Sequence, residues 1–126
     1  MNNVRFLVCR HCGNIVKVID DAGVPVMCCG EDMEELEVGV VEASHEKHIP
    51  VVSVEGDLVK VNVGSVDHPM SREHSILWVY LETSKGGQLK YLDVDGAPAV
   101  SFAIADEKPV AVYAYCNLHG LWKAEI

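Results

Sequence analysis

Four of the chain's five cysteines fall between positions 9 and 29, as Cys9-Arg10-His11-Cys12-Gly13 and Cys28-Cys29, and this crowding constrains the first third of the fold more than any other feature. The segment over roughly residues 1–37 carries only short apolar stretches, Val4-Arg5-Phe6-Leu7-Val8 and Ile15-Val16-Lys17-Val18-Ile19, before an Asp20-Asp21-Ala22-Gly23 turn. A piece below ~40 residues cannot bury enough surface by itself and needs a metal, disulfides or oligomerisation. Five cysteines is an odd number, so disulfides cannot satisfy one chain completely, and metal ligation becomes the leading reading. A Cys-x-x-Cys knuckle turns two sulfurs toward one ion, and Gly13 permits the tight turn that follows. The four thiolates suit a tetrahedral site holding iron or zinc; a Cys9–Cys12 redox disulfide and inert buried thiols are the alternatives. Adjacent cysteines depart from the second Cys-x-x-Cys of zinc ribbons, which tilts the reading toward iron.

From about residue 38 the pattern changes to short strands with period-two alternation, and no capped, 3.6-periodic stretch is long enough for a helix. Val59, Val61 and Val63 alternate with Leu58, Lys60 and Asn62, Ile76–Leu81 is nearly continuous apolar sequence, Val100, Phe102 and Ile104 share a face, and Val110, Val112 and Ala114 make a fourth strand. Glu55-Gly56-Asp57, Ser84-Lys85-Gly86-Gly87 and Asp95-Gly96-Ala97-Pro98 punctuate them. Such spacing over ~90 residues predicts a mainly β chain whose second part, residues 38–126, is a two-sheet sandwich following a small metal domain of residues 1–37.

A second set of chemistry-bearing residues is spread through that sandwich: Glu46-Lys47-His48, Val66-Asp67-His68-Pro69-Met70, His74 and Cys116-Asn117-Leu118-His119-Gly120. A single histidine is more often a surface or hydrogen-bonded core residue than a ligand, and His11 and His45 are read that way. Four histidines at loop-like positions, with the remaining cysteine three residues from one of them, are different, because a sandwich gathers its loops at its ends. Four imidazoles and one thiolate exceed the closed four-coordinate shell of structural zinc and leave one octahedral position open. On Fe²⁺ that shell is formally +1, and a single thiolate pushes electron density toward whatever binds opposite it.

With 10 Lys+Arg against 19 Asp+Glu, the net charge of −9 disfavours a nucleic-acid binder held by counterion release, and anionic membrane surfaces equally. No apolar run approaches the ~18 residues needed to cross a bilayer, and Met1–Val8 lacks a basic region followed by a long apolar one. A soluble cytoplasmic protein is expected, with no nucleic-acid or membrane partner.

These residues resemble the desulfoferrodoxin family, the two-iron form of superoxide reductase, over essentially the whole length. The first part is similar to desulforedoxin through Cys9-Arg10-His11-Cys12-Gly13-Asn14-Ile15-Val16 and Cys28-Cys29-Gly30; the rest carries Glu46-Lys47-His48-Ile49-Pro50-Val51, Val63-Gly64-Ser65-Val66-Asp67-His68-Pro69-Met70, His74 and Tyr115-Cys116-Asn117-Leu118-His119-Gly120-Leu121-Trp122-Lys123. The resemblance implies a rubredoxin-type Fe(Cys)4 centre at Cys9, Cys12, Cys28 and Cys29, with zinc as the alternative occupant. It implies a catalytic iron held by His48, His68, His74 and His119, with Cys116 axial opposite the open position. It assigns Lys47 to attraction of superoxide and protonation of the product, and Glu46 to the sixth position of the oxidised centre. It further implies an immunoglobulin-like sandwich, a homodimer, and rubredoxin or a similar small protein as electron donor. The expected reaction is one-electron reduction of superoxide to hydrogen peroxide, serving superoxide detoxification. An electron-transfer protein with two shuttling irons and a zinc-ribbon interaction module are the competing classes; metal content and the visible spectrum separate them.

Overall fold

The computed structural model describes residues 4–126, so the first three residues of the segment expected over 1–37 lie outside the described residues. The chain divides into two compact units, Met1–Glu37 and Val38–Ile126. In the first, β1 (Phe6–Val8) lies between β2 (Ile15–Lys17) and β5 (Glu34–Glu35), and β3 (Met27–Cys28) forms a hairpin with β4 (Glu31–Asp32). Its buried apolar residues among those described are Phe6, Leu7, Val8, Cys9 and Leu36. Five residues cannot offset the conformational entropy of ordering more than thirty, which ties the stability of this unit to its sulfurs. The Arg5 guanidinium pairs with Asp21 and Glu35, and Arg10 with Glu34, but exposed pairs of this kind contribute at most about 1 kcal/mol each.

The second unit holds one short helix, α1 (His45–His48), and seven strands: β6 (Pro50–Glu55), β7 (Leu58–Val63), β8 (Ile76–Thr83), β9 (Gly86–Tyr91), β10 (Ala99–Ala103), β11 (Pro109–Cys116) and β12 (Gly120–Glu125). They form a three-stranded sheet ordered β10-β7-β6 and a four-stranded sheet ordered β12-β11-β8-β9, all antiparallel. This is the immunoglobulin-like sandwich division of seven strands. Alternation places Val59, Val61, Val63 and Phe102 of one sheet among the same buried cluster as Ile76, Val79, Leu81, Val112 and Ala114 of the other. Phe102 has no solvent exposure, and Phe102→Ala is expected to cost about 3–5 kcal/mol; a lower denaturation midpoint at unchanged slope checks it.

The strands expected from alternation are β7, β10 and β11, and the continuous apolar run is β8. The three with no such signal, β6, β9 and β12, are all sheet edges, where one side needs no apolar partner. Strand β9 reads Gly-Gly-Gln-Leu-Lys-Tyr and is almost wholly exposed. Its polar side chains have a role at the neighbouring edge: Gln88 Nε2 donates to the Ala103 carbonyl at 2.7 Å and Lys90 Nζ to the Ser101 carbonyl at 2.6 Å. Those carbonyls belong to β10, an edge strand that would otherwise present free acceptors to another chain.

Candidate metal centres

Antiparallel pairing decides where the histidines meet. Pro50 pairs with Val63, Cys116 with Ile76, and Cys116 with Gly120. The starts of β6, β8 and β12 and the ends of β7 and β11 therefore share one end of the sandwich. His48 closes α1 just before β6, His68 and His74 occupy the connection between β7 and β8, Cys116 ends β11, and His119 lies in the turn into β12. One ligand atom from each of His48, His68, His74 and Cys116 lies within 4.8 Å of the other three. His119 joins through Nδ1, which is 3.1 Å from His48 Nε2 and 3.9 Å from Cys116 Sγ.

The donor set fits a cation rather than a hydrogen-bonded network. His48 Nδ1 donates to the Ser44 carbonyl at 2.6 Å and His68 Nδ1 to the Pro69 carbonyl at 2.7 Å. A carbonyl only accepts, so in the neutral ring each Nδ1 carries the proton and each Nε2 presents a lone pair. These two Nε2 atoms approach to 3.1 Å. With no proton between them the approach is repulsive unless a cation is shared, and two metal–nitrogen bonds of about 2.1 Å at right angles place nitrogens about 3.0 Å apart. His74 Nε2 is buried and has no hydrogen-bond partner among the described residues, as a ligating nitrogen would be without its metal.

Electrostatics keep these rings in the ligating form. Burial pulls His68 down to about 4, the three other imidazoles adding to it. Burial also lowers His48 and His74, reinforced by His119 and by the Lys47 ammonium. All three are neutral at pH 7 and offer lone pairs. Cys116 is fully buried; burial pushes its thiol up, against backbone N–H donors of Leu118 and His119. Metal uptake must displace that proton, so the same burial that disfavours the free thiolate favours its pairing with a cation.

In the first unit Cys9, Cys12, Cys28 and Cys29 form the second cluster, with their sulfurs within 4.8 Å of one another. Gly13, at φ 84°, takes the left-handed turn that closes the knuckle, its N–H donating to the Cys9 carbonyl at 2.9 Å. Cys12 and Cys28 sulfurs are 3.6 Å apart, far beyond a disulfide bond and close to the ~3.8 Å edge of a tetrahedron with metal–sulfur bonds of about 2.3 Å. The Cys12 backbone N–H, seconded by that of His11, holds the Cys9 thiol down to about 6. Proximity to Cys9, Cys12 and Cys28 pushes Cys29 up to about 12, and Cys12 heads the neighbours that raise Cys28. Four thiolates cannot coexist at this spacing without a cation.

Glu46 and Lys47 are exposed residues of α1 and join no ion pair among the described residues. Their backbone is pinned from below. The Glu46 carbonyl accepts Val66 N–H at 3.0 Å and Ser65 Oγ–H at 3.2 Å, and a Cβ on Gly64 would lie 2.5 Å from that carbonyl and 2.9 Å from the Lys47 carbonyl carbon. Gly64 is required for this close approach. Sequence reading gave no role to it, nor to the Ser44 and Pro69 carbonyls, which any residue supplies. Trp122 is a further addition: its Nε1–H donates to the His119 carbonyl at 3.0 Å while its ring lies 4.9 Å from that of His48. His11 pairs at the surface with Glu31 and His45 stands edge-on to Trp122; neither enters a cluster.

Comparison with known proteins agrees over nearly the whole length. The family model described as Desulfoferrodoxin matches residues 40–125, and that described as Desulfoferrodoxin, N-terminal domain, matches residues 3–36. The chain is 43% identical to the desulfoferrodoxin of Nitratidesulfovibrio vulgaris over 98% of each protein. It is 38% identical to the superoxide reductase of Pyrococcus horikoshii over 64% of this chain and 86% of that one. The crystal structure of superoxide reductase from Treponema pallidum superposes with a TM-score of 0.84 at 46% identity, covering 98% of this chain and 100% of that chain.

Proposed function

The chain belongs to the desulfoferrodoxin family, and on that premise we propose that it is a superoxide reductase, reducing superoxide to hydrogen peroxide with one electron and two protons. The observation that carries the reading is the meeting of neutral imidazole lone pairs, 3.1 Å apart, beside a buried cysteine. His48, His68, His74, His119 and Cys116 would hold the catalytic iron, and Cys9, Cys12, Cys28 and Cys29 a second iron of electron-transfer type. Residues 38–126 then form the catalytic domain and 1–37 the electron-transfer domain. When bound, ferrous iron with a thiolate donor supplies the reducing electron.

The chain's own groups do the rest. The Ser44 and Pro69 carbonyls orient two imidazoles, and the Cys116 thiolate leaves four neutral nitrogens as its partners, so the ligand set keeps a net positive charge on a divalent ion. Lys47 adds a mobile positive charge near His48 and His74, attracts the anion, and offers protons to the leaving product through water. Glu46 would offer a carboxylate to the oxidised centre, a role that rests on the family resemblance. A rubredoxin-like protein as donor, a homodimer, and a cytoplasmic location complete the proposal and rest on the family resemblance; no described helix is long and apolar enough to cross a membrane.

Attraction is the step that net charge opposes, since the chain carries −9 overall. At 0.1 M ionic strength the Debye length is ~10 Å, so distant carboxylates are screened while Lys47 is not. The second-order rate is expected to fall with added salt, and Lys47→Ala to lower it by about ten-fold or more. Glu46→Ala leaves it nearly unchanged, because a carboxylate that acts only after oxidation contributes nothing to capture. Pulse radiolysis of the reduced variants over a salt series decides this: a Lys47→Ala rate equal to the parent at low salt removes the lysine from capture. Stoichiometric zinc without iron, or a second centre inert to azide and cyanide, would overturn the reductase reading itself.

A further inference from the structure

Two of the site's imidazoles are aimed by hydrogen bonds of their own, His48 to the Ser44 carbonyl and His68 to the Pro69 carbonyl, whereas His74 Nε2 is buried with no hydrogen-bond partner among the described residues. The position of His74 is therefore set by its backbone. That backbone is held by a short Ser71–His74 turn, in which Ser71 N–H donates to the His74 carbonyl at 2.9 Å and His74 N–H to Ser71 Oγ at 3.1 Å. A second tie comes from the other side of the site. Asn117, between Cys116 and His119, accepts Ser75 N–H on Oδ1 at 3.0 Å and donates from Nδ2 to the Glu73 carbonyl at 2.8 Å. The chemistry admits one orientation, since an N–H can only donate and a carbonyl only accept. Asn117 N–H also approaches the Ser75 carbonyl at 3.3 Å. One side chain thus brackets His74 through the residues on both sides of it.

We propose that Asn117 is the positioning residue of the catalytic centre, a clamp that fixes the His74-bearing segment against the Cys116–His119 turn and so sets the relation of one imidazole ligand to the thiolate. It touches neither substrate nor the ligand atoms; it acts through the backbone of Glu73–Ser75. Without it, the Ser71–His74 turn still holds the loop together internally, but among the described residues that loop is tied to the strand end carrying the sulfur by the ladder pair Cys116–Ile76 and the 3.3 Å Asn117–Ser75 backbone hydrogen bond. That pair sits where β11 and β8 slip register, so it specifies the geometry weakly.

The inference rests on the reading of His74 and Cys116 as iron ligands, and its test separates the two. In the full-length protein, Asn117→Ala and Asn117→Asp are compared with the parent for the sulfur-to-iron charge-transfer band of the oxidised centre and for the rate of iron loss to a chelator. Aspartate keeps the acceptor for Ser75 N–H but loses the donor to Glu73 and sets a carboxylate against that carbonyl. The clamp predicts a shifted band and iron loss faster by about ten- to a hundred-fold in Asn117→Ala, the range seen when outer partners of metal ligands are removed, with Asn117→Asp between. Should the alanine variant fail to fold, the aspartate variant alone must show the shift. An unchanged band and rate overturn the clamp, as does a lower melting temperature of the metal-free protein with the band unmoved, which marks a structural role only. A parent without the band at all defeats the ligand reading instead.

Discussion

Cys116→Ser is expected to remove the sulfur-to-iron charge-transfer band and to lower superoxide reduction by more than about a hundred-fold. Outer-shell changes alone cost 10–100-fold at metal centres, and this one removes a proposed ligand. The site leaves no substitute: the other four cysteines are gathered in the first unit, and the position is fully buried. A serine hydroxyl is nearly isosteric, so the sandwich should persist at a cost of about 1–3 kcal/mol for a buried polar group short of partners. Unaltered strand content with the band gone would separate loss of ligation from loss of fold. Persistence of the band in the variant would show that Cys116 is not the thiolate donor.

Cys28→Ser is expected to lower bound metal from two ions per chain to one, and to unfold residues 1–37 while residues 38–126 remain folded. Binding free energy at a structural site is folding free energy, about 10–16 kcal/mol for small zinc-binding peptides, and a unit with five buried apolar residues among those described has nothing to replace it. The second unit keeps its own cluster, from Val59 through Phe102 to Val112. Amide exchange read by unit, together with metal analysis, tests this; full metal at both sites with unchanged protection would refute it.

The histidine–cysteine cluster shows why some candidate site residues are legible in sequence and others are not. Histidines and cysteines carry their chemistry in their side chains, so their types and spacing announce ligation before any fold is known. Asn117 and Trp122 stand inside the same motif, yet their contribution lies in where their hydrogen bonds go, to Glu73, Ser75 and the His119 carbonyl. Residues 42 and 44 positions apart cannot be paired from a single chain. Strands divide the same way. Interior strands β7 and β11 needed apolar side chains and could be read, whereas the edges β6, β9 and β12 are specified by their neighbours' free backbone groups.

By itself the sequence placed four thiols in a short, core-poor first segment, where a metal site is the leading reading, and showed that the second part alternates as a sandwich. Only the tertiary structure decided which nitrogen His48 and His68 offer. That choice belongs to carbonyls of Ser44 and Pro69 that any residue could supply, placed there by a chain path. The proximity of Cys116 to three loops likewise follows from antiparallel pairing, which puts the ends of β7 and β11 beside the starts of β6, β8 and β12. Ligand identity is a property of side chains; ligand geometry is a property of where backbone hydrogen bonds close.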